Sequence, residues 1–467
     1  MKILLIRPGD KRSFAKHLTL ATSPPLGLLY LGALLEQDGH DVEVLDYLVE
    51  EISKEQLKNY LTSSDAVGVT IYTNSLKISA DFTKTIKEID PDIPIIIGGP
   101  HCSFFKERAL QDIPHADISV VGEGEYVILD LIKYIHGKKK LEDIPGIYYR
   151  DNGSIKSGRP TEVINDLDFV PFPARHLVEK YDYGDLPFGF QLKRKVTSLI
   201  TSKGCPSNCR FCSRFDNVID GWGFRRRSAE NILQEFEEMS DKYSSVHIVD
   251  DNALADKKRA NKILDGLIKM DKELELVIHG ARVDSANEEL YKKMKLAGVK
   301  YIYFGLESGN QDVLDFYNKK TTVSQIRKAV NLSRKMNFVS IGNFILGAPF
   351  ETKEHIEKTI KFACSLPLDI AGFGPLIYVK GSQLWKEAVE SNKLSKDMSP
   401  VLADSGKGLG NFTTEELIDY SIIAFKRFYF RPNYILSQIY RSVLRNDYSL
   451  LFSGLKFLSM LTKRLNA

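Results

Sequence analysis

Three cysteines, Cys205, Cys209 and Cys212, lie in the run Thr201-Ser-Lys-Gly-Cys-Pro-Ser-Asn-Cys-Arg-Phe-Cys-Ser-Arg214. Their spacing is C-x3-C-x2-C. Three thiolates on one short loop can grip three irons of a [4Fe–4S] cube. The fourth iron is then left without a protein ligand, whereas an electron-transfer ferredoxin uses four cysteines. An open iron can bind a substrate-like molecule. A structural zinc site asks for four ligands, usually as two separated pairs. The next candidates, His247 and His279, lie far along the chain on expected strands. An odd set of three cannot pair evenly into disulfides.

Alternating apolar runs and helical patterns must position this loop. Between residues 193 and 400 six β/α units are expected, with strands at Val196–Thr201, Ser245–Val249, Leu274–His279, Lys300–Gly305, Ser340–Leu346 and Ile370–Tyr378. Eight units would close a full barrel, and six leave an open partial (β/α)6 barrel. Chemistry in such barrels sits at the C-terminal strand ends. Polar and glycine residues gather there: Asp250-Asp251-Asn252, Gly280-Ala-Arg282, Gly305-Leu-Glu307-Ser308, and Asn343-Phe-Ile-Leu-Gly347. Taken singly, each has a bland explanation; Asp250 and Asp251 are plausible helix caps, and Arg282 and Glu307 could pair with each other.

The cysteine spacing, with these elements in this order, resembles the radical S-adenosylmethionine (SAM) superfamily. The resemblance implies that the open iron chelates the amine and carboxylate of SAM, and that one electron cleaves SAM to a 5′-deoxyadenosyl radical. It also implies roles. Phe211 stacks near the adenine or shields the cluster, and Asp250 and Asp251 meet the SAM amine. Arg282 clamps its carboxylate. Glu307, with Ser308, suits the ribose hydroxyls, and Asn343 and Gly347 lie on the adenine-contact strand.

Residues 1–140 alternate strand and helix, as expected for a doubly wound parallel sheet. Glycine clusters follow two strands, at Gly98-Gly99-Pro100-His101 and at Gly122-Glu123-Gly124. Missing side chains let a bulky or phosphate-bearing ligand approach the backbone. With Ser23-Pro-Pro-Leu-Gly27 and Val69-Thr70-Ile-Tyr72, the set resembles the cobalamin-binding domain fused to many radical SAM enzymes. That domain would bind cobalamin through Thr70, Tyr72, Gly98, Gly99, Pro100, His101, Gly122, Glu123 and Gly124. One departure stands out: the Asp-x-His-x-x-Gly loop, which elsewhere supplies a histidine to cobalt, begins at Asp38-Gly39-His40 but has Glu at position 43. The resemblance therefore implies base-off cobalamin with no histidine on the metal. His101 is expected near the glycine turn.

Residues 141–192 read as a linker and 401–467 as a helical tail. The chain's 467 residues allow two or three domains, and a net charge of +3 gives no case for a nucleic-acid partner. No stretch reaches the ~18 apolar residues of a membrane span. Five cysteines, no signal peptide and an oxygen-labile cluster point to a reducing cytoplasm. From Phe425 onward eight Lys/Arg meet one Asp, and Leu451, Leu455, Leu458, Leu461 and Leu465 recur at helical spacing. Such a helix either lies on an anionic membrane surface or packs its leucines on the barrel.

The expected function is a cobalamin-dependent radical SAM C-methyltransferase. It would use a [4Fe–4S] cluster, SAM and cobalamin, and transfer methyl from methylcobalamin to an unactivated carbon. The electron donor would be ferredoxin or flavodoxin, and the substrate a small molecule, lipid or isoprenoid-like. Two alternatives stay open: ring closure or rearrangement with the same cofactors, and a cobalamin-binding sensor with a structural metal.

Overall fold

The computed structural model describes residues 1–9, 22–186, 190–192, 195–449 and 451. It divides into two compact units: Met1–Asp185 with Phe215–Arg225, and Leu186–Arg214 with Arg226–Ala467.

The first unit is built on strands β1 (Lys2–Arg7), β2 (Asp41–Asp46), β3 (Ala66–Thr70), β4 (Ile95–Gly98) and β5 (Ile118–Val120), with sheet order β2-β1-β3-β4-β5. All four pairings among them are parallel. The apolar run of β1 explains its central place, because both of its faces are covered. Leu4 and Ile6 pack into one core with Val67, Val69 and Ile86, while Ile3 and Leu5 pack into another with Leu29, Val44 and Ile132. Helix α1 (Leu26–Gln37) follows β1, and α2 (Lys54–Thr62) and α3 (Leu76–Ile89) follow in order.

Between β4 and β5 lie two short helices, α4 (Pro100–Phe105) and α5 (Arg108–Asp112), parted where Lys106 takes φ +54°. The parallel sheet expected for residues 1–140 is present in β1–β5, and after helix α6 (Ile128–Ile135) the strands β6 (Ile147–Asp151) and β7 (Ser154–Ser157) add an antiparallel hairpin to its edge. Asn152 and Gly153, at φ +49° and +83°, make the tight turn that Asp151-Asn-Gly announces.

In the second unit β8 (Val196–Leu199), β9 (Ser245–Ile248), β10 (Glu275–Ala281), β11 (Val299–Glu307), β12 (Val339–Leu346) and β13 (Ile370–Pro375) lie side by side in sequence order, all parallel. The connecting helices include α7 (Ala229–Ser240), α8 (Lys257–Met270), α9 (Glu288–Leu296), α10 (Gln311–Phe316), α11 (Val323–Lys335) and α12 (Lys353–Ser365). Strand and helix alternate as in a β/α barrel, with six strands and no closure.

Three further helices follow in this unit: α13 (Gln383–Glu390), α14 (Thr414–Tyr429) and α15 (Pro432–Arg445). Helix α14 opens with a capping box between Thr413 and Glu416. It covers β13, where the Tyr429 hydroxyl donates to Ala371 O at 3.0 Å and Phe373 meets Phe425 and Phe428. The leucines from Leu455 on lie outside the described residues. Part of the tail's positive charge is directed inward. Arg441 donates to Asp369 at 2.5 Å and to Phe338 O at 2.7 Å, Arg445 donates to Phe338 O, and Arg427 meets Glu357.

Candidate functional site

The cysteine loop leaves β8 through a turn at Gly204, whose φ is +80°. It is tied along its length. The Arg210 amide donates to Tyr317 O at 3.0 Å, and Asn318 Nδ2 donates to Asn208 O at 2.7 Å. Ser213 Oγ donates to Lys380 O at 2.8 Å, and the Leu384 amide donates to Arg210 O. The three thiols are free. Cys212 belongs to an exposed residue, yet its thiol is pushed up to about 12 by loss of solvent and then by Cys209, Asp251 and Cys205. Three thiolates so placed repel one another, and bound metal would hold them ionised.

Among the described residues no three His, Cys, Asp or Glu side chains close on one point as a single ion needs. A cube takes one thiolate per iron at separate corners, so it fits this loop better than a lone zinc does. The donors around the sulfurs agree. Asn252 Nδ2 lies 3.9 Å from Cys205 Sγ, and Arg282 Nη1 lies 3.8 Å from Cys209 Sγ.

The strand-end residues do different jobs from one another. Asp250, expected at the SAM amine, is instead a buried brace: it accepts from the Thr201 amide at 2.6 Å and from Ser202 Oγ at 2.5 Å. Burial raises its pKa, and those hydrogen bonds oppose the rise. Asp251 faces solvent and accepts from the Gly204 amide beside Cys205. Ser308 is likewise spent internally, with Oγ 3.0 Å from Thr359 Oγ1 and accepting from the Asn310 amide.

Arg282 and Glu307 do not pair with each other. Arg282 holds Asp284 at 2.9 Å and Lys319 O at 2.6 Å. Glu307, at φ +62°, pairs with Lys319 at 2.6 Å, and both side chains are more than nine-tenths buried. Burial lowers the Lys319 pKa, but Glu307 and Cys209 more than offset it, so the net shift is upward. The same ammonium lies 5.7 Å from the Phe211 ring, whose edge meets Tyr317 at 5.0 Å.

Asn343 is exposed although it sits in the middle of β12. Gly347 adopts φ +96°, and a Cβ there would meet Leu417 at 2.6 Å. One oxygen of Glu351 accepts from the Gly347 and Ala348 amides, each at 2.7 Å. The sequence singles out neither Lys319 nor Glu351, and it marks Asn252 only as part of the Asp250-Asp251-Asn252 run. Only the E in Gly347-Ala-Pro-Phe-Glu351 could have drawn notice, by its closeness to the glycine turn.

In the first unit the order β2-β1-β3 places a topological switch point between β1 and β3, where ligands enter such sheets. Gly99 has φ +101°, and a Cβ there would lie 2.9 Å from Thr70 Oγ1 and 3.1 Å from Ile71 O. Gly122 has φ +88°, where a Cβ would lie 2.8 Å from Thr161. Positive φ and close packing against neighbouring protein atoms thus both select glycine at these turns. Pro100 opens α4, and Tyr72 is 47% exposed at the end of the β3 loop.

His101 and Glu123 point elsewhere. His101 is buried, with Nδ1 3.2 Å from Thr73 Oγ1 and Nε2 3.2 Å from Asp112. Both ring nitrogens are occupied, so it is a structural histidine. Glu123, expected at the cobalamin, is buried and accepts from the Ile164 amide and from Arg225 Nη1, each at 2.7 Å.

Residues 199–363 match the profile of the radical SAM superfamily, and residues 19–132 match that of the B12 binding domain. The chain is 31% identical over 455 residues to a Pyrococcus horikoshii protein described as an uncharacterised methyltransferase, covering 94% of this chain and 95% of that one. It is 26% identical to the anaerobic magnesium-protoporphyrin IX monomethyl ester cyclase of Rubrivivax gelatinosus, covering 93% and 78%. In fold it resembles the radical SAM methyltransferase TsrM of Kitasatospora setae, solved with cobalamin and a [4Fe–4S] cluster, with a TM-score of 0.68 at 17% identity over 92% and 82% of the two chains. A B12 binding domain precedes a radical SAM core along one polypeptide, and the chain belongs to the cobalamin-dependent radical SAM enzymes.

Proposed function

We propose that this chain is a methyltransferase that places a methyl group on an unactivated carbon of a small molecule. The observation that carries the reading is the three-thiol loop: it can hold a cube with one iron free for SAM, in a chain that also carries a backbone-built cofactor crevice. When bound, the cluster and SAM supply a 5′-deoxyadenosyl radical and cobalamin supplies the methyl group. The protein contributes position and exclusion of water. Arg282 presents its guanidinium beside Cys209 for the SAM carboxylate. Asp251 offers its carboxylate for the amine. Glu307, held by Lys319, faces the ribose hydroxyls, and Asn343 and the Gly347 turn flank the adenine with Phe211. Gly99 and Gly122 let the corrin ring approach the backbone, with Thr70 and Tyr72 at its edge.

The test is anaerobic reconstitution with cobalamin, methyl-labelled SAM and reductant, followed by mass spectrometry of products from candidate extracts. Label in a product at carbon supports the reading. Likeness to the cyclase favours a second reading, ring closure or rearrangement, which predicts an altered product without label. Reduced ferredoxin or flavodoxin is the expected electron donor, and its replacement of dithionite in forming 5′-deoxyadenosine checks this.

The finer reading of the substrate is a lipid or isoprenoid-like molecule met at a membrane surface inside a reducing cytoplasm. It is supported by Leu436, Ile439, Tyr440, Val443 and Leu444, which recur at helical spacing on α15 and are all exposed. No helix among the described residues is long and apolar enough to cross a membrane. Sedimentation with phosphatidylglycerol vesicles that is lost in Leu436→Glu supports surface contact. Equal sedimentation of both proteins removes it.

A further inference from the structure

The chain leaves the cysteine loop at Arg214, runs from Phe215 to Arg225 inside the first unit, and returns to the second at Arg226. This excursion begins three residues after Cys212. Phe215 stacks on Phe104 at 4.7 Å and 14°, and Trp222 meets Phe215 at 4.7 Å. Ile219 and Trp222 are buried with Val121. Arg225 lies over the Trp222 ring at 4.7 Å and donates to Glu123 at 2.7 Å, with both charges buried.

The places gripped are informative. Phe104 lies on α4, the helix that opens on the Gly98-Gly99 turn. Val121 and Glu123 flank Gly122, which a Cβ would bring within 3.7 Å of Ile219. The excursion therefore holds both glycine turns of the cofactor crevice. A plain connection between domains would need neither a buried ion pair nor a ring stack, and a buried pair is costly unless its geometry is good.

We propose that residues 215–225 form a strap that couples occupancy of the cobalamin crevice to the order of the cysteine loop. Phe215, Trp222, Arg225 and Glu123 act in it as positioning residues. The proposal rests on the cofactor assignment above and needs no particular substrate or reaction. Filling the crevice steadies the α4 and Gly122 turns. Phe215 and Ile219, packed on them, then hold the segment that follows Cys212. Coupling between two sites is reciprocal, so a cluster in the loop must tighten cobalamin binding by the same factor.

The test measures hydroxocobalamin affinity by absorbance, on full-length protein with and without the reconstituted cluster. The wild-type chain is expected to bind about tenfold tighter with the cluster present, within the ordinary range of site-to-site coupling. In Phe215→Ala that ratio falls to near one, while the aromatic Phe215→Tyr keeps most of it. Hydrogen exchange gives a second readout: hydroxocobalamin should slow exchange at residues 205–214 in the wild type and not in Phe215→Ala. If Phe215→Ala fails to fold, Glu123→Gln, which leaves the aromatic stack intact, serves in its place. A ratio near one in the wild type, or an unchanged ratio in the folded variant, overturns the strap. Absence of label in any product leaves these ratios untouched, so failure of methyl transfer is seen separately.

Discussion

The two cofactor regions are built from opposite materials. In the first unit, the turns proposed for the corrin are set by backbone: Gly99 and Gly122 hold positive φ, and an added Cβ would run into Thr70 and Ile71 or into Thr161. The region around the cysteines is made by charge, with Arg282 on Asp284, Lys319 on Glu307, and Asp250 and Glu351 on backbone amides. A crevice lined by backbone should tolerate changes of charge and fail when a methyl group is added. A pocket held by paired charges should tolerate small changes of volume and fail when one charge is removed. That difference can be broken experimentally from either side.

The largest effect is expected at the three cysteines proposed to hold the cluster. Cys205→Ala removes one of three thiolates, and iron after reconstitution should drop from about four per chain to near zero. Formation of 5′-deoxyadenosine from SAM should vanish with it, while hydroxocobalamin still binds. A Cys205→Ala protein that cleaves SAM reductively contradicts the cluster assignment. Next comes Glu307→Gln, which strands the buried Lys319 ammonium. Breaking a buried pair costs about 3–5 kcal/mol, so the thermal midpoint should fall clearly. Glu307→Gln with Lys319→Met should recover much of that loss, and a double variant no better than the single one shows that the pair is not the cause.

The third effect is in the other unit and is smaller. Gly99→Ala puts a Cβ 2.9 Å from Thr70 Oγ1 at φ +101°, and strain of this kind costs about 1–3 kcal/mol. Hydroxocobalamin should bind roughly tenfold or more weakly, at 1.4 kcal/mol per factor of ten, with iron content unchanged. Unchanged cobalamin affinity in Gly99→Ala would remove the backbone-built crevice from the account.

The same contrast explains what could be read from the sequence. Apolar runs such as Ile3–Ile6 and the helix of Val323–Lys335 carry their period locally, so strand and helix were legible, as was the cysteine spacing. The glycine turns were legible because positive φ selects the residue type. Pairing was not. Glu307 meets Lys319 twelve residues on, Asp250 meets Thr201 across 49, and Glu123 meets Arg225 across 102. A lone carboxylate at a strand end looks the same whether it faces a ligand or braces a loop. Asp250 and Glu123 for this reason read as cofactor contacts in the sequence, and in the fold they hold backbone and arginine. The tail shows the same limit: Arg441 and Arg445 count as surface charge in sequence and reach Asp369 and Phe338 O in the fold.

The smallest effect is a pH dependence that belongs to the charge-built side alone. Burial raises the pKa of Glu351 to about 7, against the pull of the Gly347 and Ala348 amides. A carboxyl whose folded pKa lies above its unfolded value binds more protons in the native state. Its contribution to stability is therefore complete below the ordinary carboxylate range and is lost as pH rises through about 7. Between pH 6 and 8 the loss is on the order of 1 kcal/mol. Glu351→Gln keeps one oxygen for both amides and cannot ionise, so that part of the slope should disappear from its thermal midpoint over the same range. The Gly99→Ala protein should keep the wild-type slope at a lower midpoint, because its defect carries no proton. A Glu351→Gln protein with the full wild-type slope would place the titrating group elsewhere.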